Sequence, residues 1–187
     1  TDWNLLRQYA GIEDAPDDAA SLRRLMPRDS EFYVPNGYAA QTAAGNAPLW
    51  GWDFNDLHWE SALQLGDGRT AYVMRLRDDY PLDELLARFE ERGYTRTEAA
   101  GAILLSRAMD LSQPWSVDIA VFNAAILPEE HILIHAPAAE NVYQVVAARS
   151  GALSAAADAP AYADIAAQLG AVAGALLGPY AIHCAIF

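Results

Sequence analysis

The chain has 187 residues, 53% of them hydrophobic, with a formal net charge of −13 and a pI near 4.5. That length carries one large domain with ample apolar side chains for a core, which excludes global disorder. So acidic a balance argues against nucleic acid and against an anionic membrane surface, because both need a basic face.

Lysine is absent, and all 12 basic residues are arginine. This excludes a Schiff-base lysine, a P-loop lysine and a serine–lysine dyad. Cys184 is the one cysteine, so no disulfide forms within the chain. The chain opens on Thr1 with no basic and apolar leader behind it, which reads as a removed signal or anchor segment or as an artificial boundary. Together with the missing lysine and frequent Asp and Ala, this suits an exported bacterial protein, and an extracytoplasmic location is expected.

In chain order, Trp3, Leu5, Leu6 and Tyr9 form a helical stripe over 2–9, with Asp2 near the cap and Gly11 as a stop. A second short helix is expected over 19–26, a strand over 31–34 and a loop over 35–48. Residues 49–65 hold an aromatic patch of Trp50, Trp52, Phe54, His58 and Trp59. Asp53, Asn55 or Asp56 is expected to cap a helix there, running through Trp59, Leu63 and Leu65. Residues 70–77 alternate, with Tyr72, Met74 and Leu76 on one face and Arg75 and Arg77 on the other.

Leu82, Leu85, Leu86 and Phe89 then fall at i, i+3, i+4 and i+7 of a helix that Gly93 ends. Residues 94–106 read as a polar edge, a turn or bulge at Gly101 and a strand. Strands are expected over 116–122 and 131–135, with a turn at 127–130 between them, and a helix over 140–149 with Val142, Val145 and Val146 inward. After an Ala-rich linker, Tyr162, Ile165, Leu169, Val172 and Leu176 form a short heptad-like seam. Residues 180–187 are apolar and strand-like. Residues 165–187 carry no charge, but Gln168, His183, three glycines and Pro179 disfavour a membrane span.

Few constellations carry chemistry. His131 and His135 would sit about 13 Å apart on a strand, too far for one tetrahedral zinc. His183 and Cys184 are adjacent and would point to opposite faces of a strand, so they make no dyad. The pairs Asp17–Asp18, Asp78–Asp79, Glu90–Glu91 and Glu129–Glu130 lie in turns or on helix surfaces, where carboxylates stay solvated. Asp53, Asn55 and Asp56 lack the glycine and distal glutamate of a calcium loop. No metal and no cofactor is expected. Trp50, Trp52 and Trp59 either stack on a sugar or a partner, or seal one end of the sheet. Arg75 and Arg77 either grip an anionic group, or form a solvated face or pair with Glu90 or Glu91.

The runs Trp-Asp-Phe-Asn-Asp-Leu-His-Trp-Glu at 52–60 and Leu-Asp-Glu-Leu-Leu at 82–86 through Arg-Gly-Tyr at 92–94, with Asp2-Trp3 and Gly11-Ile12, resemble a set of uncharacterised exported bacterial and archaeal proteins. The likeness covers about two-thirds of the chain. It implies an α+β fold with a ferredoxin-like β-α-β-β-α unit, often followed by a second similar unit, in extracytoplasmic lipoproteins of unknown function. No catalytic residues come with it. On this basis 1–66 is expected to be a helical and loop extension, 67–150 the ferredoxin-like unit, and 151–187 a linker, helix and terminal strand.

The first expectation is a non-enzymatic exported module that binds a protein partner or assembles with itself. Tyr180, Ile182, Cys184, Ile186 and Phe187 would then offer a strand for β-pairing. The alternative is a small-ligand or glycan-binding domain using Trp50, Trp52, His58 and Trp59, with Arg75 and Arg77 nearby. A further alternative is a processed enzyme subunit completed by another chain.

Overall fold

The computed structural model describes residues 2–10, 50–52, 54–65, 68–107, 123–153, 174–177 and 182–185. The expected helix at 19–26, the strands at 31–34 and 116–122 and most of the 162–176 seam lie outside these residues.

Six strands form one antiparallel sheet: β1 (Leu57–Gln64), β2 (Thr70–Leu76), β3 (Thr95–Ala99), β4 (Ala102–Ser106), β5 (Asn123–Leu127) and β6 (Ile132–Ala136). Their spatial order is β1-β2-β6-β5-β4-β3. Helices α1 (Trp3–Ala10), α2 (Leu82–Glu91) and α3 (Ala139–Arg149) accompany them. After the β1–β2 hairpin, α2 carries the chain to the far edge. The strands then step back as β3, β4, β5 and β6, so that β6 closes against β2. The fold is α+β. The ferredoxin-like order is not confirmed: three strands, β6, β5 and β4, separate β2 from β3, the strands flanking α2, where a split β-α-β unit has one strand between them.

Both faces of the central strands are buried, while β3 at the edge is exposed along its length. On one, Met74, Leu76, Ile103, Leu105, Ile126 and Leu133 meet the α2 stripe of Leu82, Leu85, Leu86 and Phe89. On the other, Val73, Leu104, Ala125, Leu127 and Ile134 meet Val142, Val145 and Val146 of α3. The expected inward faces of both helices therefore hold. Strands covered on both sides need apolar residues at every position, which is why β4 reads Ala-Ile-Leu-Leu and β5 shows no alternation.

Helix α2 ends as its sequence predicts. The Gly93 N–H donates to Glu90 C=O and the Tyr94 N–H to Phe89 C=O, with Gly93 at φ +77°. That pair of bonds is the Schellman arrangement, and its apolar contact is the Tyr94 ring edge-on to Phe89 at 4.9 Å. Gly51, at φ +80°, has a second reason to be glycine: a Cβ there would lie 2.6 Å from Arg88 Nε.

Residues 57–64 form a strand, not the expected helix. Trp59 and Leu63, read as i and i+4, are equally i and i+4 of one strand face. A 3-10 turn at Phe54–Asp56 leads straight into β1, and pairing with β2 decides the matter. The expected boundary between 66 and 67 thus falls inside the β1–β2 hairpin. Further on, β7 (Gly174–Leu177) and β8 (Ile182–Ala185) pair with each other as an antiparallel hairpin. Leu176 therefore ends in a strand rather than in the expected helical seam. Among the described residues no helix is long and apolar enough to cross a membrane.

Two expectations follow from the sheet. The β3–β4 turn places Ala100 at φ +52° and Gly101 at φ +75°, a two-residue turn that favours Asn-Gly. Ala100→Asn should stabilise the protein by about 0.5–1 kcal/mol, read from a denaturant midpoint. His135, on β6, is fully buried and stacked on Tyr72 at 5.0 Å. Burial pushes its imidazole down to about 3. Below the ordinary value of 6.5 the unfolded chain takes up a proton that the folded chain refuses. Stability is therefore complete above pH 6.5 and falls toward pH 3, by up to about 1.4 kcal/mol per pH unit. Denaturation across that range should show a shallower slope for His135→Leu than for the parent.

Candidate functional site

The expected tryptophan patch is not a surface. Trp50 and Trp52 are buried, and Trp50 is enclosed by Phe89 at 4.6 Å, Tyr94 at 5.9 Å and the Arg92 guanidinium at 5.0 Å. The Trp50 ring is taken by α2 and its C-terminal turn, and Trp52 is buried in the same core cluster, so neither offers a platform to a sugar. Trp59 is half-buried on the opposite face of the sheet, beside the α3 cluster.

What separates Trp59 from the other two is a bulge. Leu57 pairs with Leu76 and Trp59 with Arg75, so His58 has no counterpart on β2. One extra residue switches the parity of the strand: Leu57 joins the α2 side and Trp59 the α3 side. The unpaired residue is re-aimed, and His58 turns into an open cleft of about 320 Å³. Asn4, Arg7, His58, Arg77, Asp78 and Asp79 line it.

Each wall has a local cause. The Asp2 carboxylate accepts the Leu5 N–H at 2.8 Å, capping α1, and Asp2 bridges to Trp59 across the sheet edge. Trp3 Nε1 donates to the buried Glu60 at 3.2 Å, which fixes α1 against β1. Asn4 and Arg7 lie one turn apart on that helix, both toward the cleft. Arg7 is buried and donates to Leu57 C=O at 2.7 Å and to Asn4 Oδ1 at 2.6 Å. With its oxygen turned to Arg7, the Asn4 amide presents N–H to His58 Nδ1. The proton of the neutral ring then sits on Nε2.

The far wall is the turn after β2. The Arg77 N–H donates to Asp56 C=O at 2.8 Å, and His131 Nδ1 hydrogen-bonds Arg77 C=O at 3.0 Å. Arg75 pairs with Asp78, and Arg77 with Asp79 at 3.0 Å. The expected partners Glu90 and Glu91 are not used, because carboxylates two and three residues on in the same turn lie nearer. Arg75 and Arg77 do not form one stripe: Arg75 stays on β2 and Arg77 lies past its end.

Burial, followed by the Arg75 guanidinium, holds the His58 imidazole below its ordinary 6.5; Asp78 opposes this, while Arg7 and Arg77 add to it. Asp78 is lowered chiefly by its hydrogen bond from Arg75, and Asp79 by its hydrogen bond from Arg77. His58 is therefore neutral at pH 7 and both aspartates are charged.

No family model, no curated protein and no solved structure matches the chain.

Of the residues singled out in the sequence, the fold brings together His58, Arg77 and, through Asp78, Arg75. Asn4 and Arg7 were missed, as was the role of Asp78 and Asp79. The Arg-Leu-Arg-Asp-Asp run at 75–79 carried a legible signal of self-pairing; the approach of α1 carried none. Ile182 and Cys184 lie in β8, opposite Leu177 and Ala175. Tyr180, Ile186 and Phe187 fall outside the described residues. His131 and His135 share no site, since His131 caps a 3-10 turn at φ +51° and His135 is core. Among the described residues no three metal-ligating side chains converge.

The Arg7–Asn4–His58 chain sets a testable ring state. Asn4→Leu should remove the donor that favours the neutral ring, and the His58 pKa should rise toward 6.5 in an NMR titration. An unchanged or lower value would show that Asn4 does not hold the ring.

Proposed function

We propose that the protein is a non-enzymatic, exported binding module that takes a small polar ligand in the cleft between α1, the β1 bulge and the turn after β2. The observation that carries this is the state of His58. Its Nδ1 accepts from Asn4, so the ring offers the cleft an N–H donor rather than a basic lone pair. The other described lining groups are guanidinium, amide and carboxylate, with no hydroxyl or thiol nucleophile among the described lining residues. Asp78 and Asp79 are solvated and held ionised by arginine, which makes them weak bases at neutral pH. The cleft has the volume of a small-molecule site and the fixed donors and acceptors that give orientation. This moves the expected ligand surface from the tryptophans to the polar corner next to them.

Amide and imidazole NMR of the full chain, titrated with a panel of small anions, cations and sugars, tests the reading. Ligand-dependent shifts should gather at Asn4, His58 and Arg77, with every probe recovered unchanged. Shifts confined to other parts of the sheet, or chemical turnover of a probe, would overturn it.

A further inference from the structure

Resting on the binding reading above, we infer that the ligand is a small carboxylic acid in its ionised form, and that Asp79 competes with it for the guanidinium of Arg77.

The fork of Arg77 already shows how a carboxylate sits there. Its Nε donates to Asp79 Oδ1 at 3.0 Å and its Nη2 to Asp79 Oδ2 at 3.1 Å, two parallel bonds to one planar group. The pair is open to water, at 50% and 73% side-chain exposure. An ion pair so exposed is screened by water and salt, so exchanging its carboxylate for another costs little. The Arg75–Asp78 pair differs, because Arg75 is only 22% exposed.

A second carboxylate would find more here than Asp79 does. His58, whose ring carries its proton on Nε2, lines the same cleft, and so does Arg7. Three guanidinium groups gather at this corner, Arg7, Arg75 and Arg77, against two carboxylates, Asp78 and Asp79. The local balance is therefore slightly positive, within a chain whose formal net charge is −13. Only a locally positive, donor-rich pocket overcomes that overall repulsion, and only at short range, because salt screens the distant charges over about 10 Å. A planar carboxylate matches both the fork and the single imidazole donor.

The experiment uses the folded full chain, the His58 ring signals as readout, and acetate and succinate as probes. Phosphate, glycerol and methylammonium serve as comparisons at equal ionic strength. Succinate should give a saturable His58 shift. Asp79→Asn should tighten succinate by about two- to five-fold, because the internal competitor is gone. Arg77→Gln should abolish the shift. Both side chains are exposed, and circular dichroism confirms that each variant is folded. Succinate binding that is unchanged or weaker in Asp79→Asn overturns the competition. Phosphate binding tighter than either carboxylate overturns the ligand class. If glycerol or methylammonium moves His58 and the carboxylates do not, this inference falls while the binding cleft stands. If no probe moves it, both fall.

Discussion

The pairing of β2 with β6 joins two pieces of chain that local interactions would build separately. One is the β1–β2 hairpin, closed by a short loop. The other is the β3-β4-β5-β6 meander, in which each strand pairs with the next. Tyr72 to His135, Val73 to Ile134, Met74 to Leu133 and Arg75 to Ile132 form the seam between them. Through it the two halves share one sheet, and α2 can lie across both. The same seam brings Leu76 N–H to His131 C=O at 2.8 Å and so shapes the turn that carries Arg77, Asp78 and Asp79. The polar corner depends on it as much as the core does.

The seam also explains how the chain tolerates a buried imidazole. His135 occupies the face that Tyr72 shares, and stacking fills its space with aromatic contact. Burial there penalises a charged ring. The neutral ring is a core side chain, which fits the ordinary role expected of it, and it has no part in the cleft.

Much of the core was legible because helices bury by spacing. Leu82, Leu85, Leu86 and Phe89 announce one face of α2, and Gly93 announces its end; Val142, Val145 and Val146 do the same for α3. Asp2 as the cap of α1 was equally local. The reading failed at residues 57–64 because a spacing of four is ambiguous. Trp59 and Leu63 share a face in a helix and in a strand alike. It failed at the tryptophans because aromatic rings with Asp and Asn neighbours look the same whether they line a surface or close a core. Phe89, Arg92 and Tyr94, some forty residues away, make the difference.

By itself the sequence determined the apolar faces of α2 and α3, the cap of α1 and the stop of α2, the acidic character and the absence of lysine chemistry. These rest on neighbours within one or two turns, where spacing alone says which side chains meet. Only the tertiary structure decided the strand order, the bulge that aims His58 outward, and the meeting of Asn4 and Arg7 with His58, Arg77 and Asp79. The contacts of α1 with β1 there span fifty residues of chain or more. Pairing register and the docking of α1 create them, and neither leaves a periodic trace in the residues that it joins.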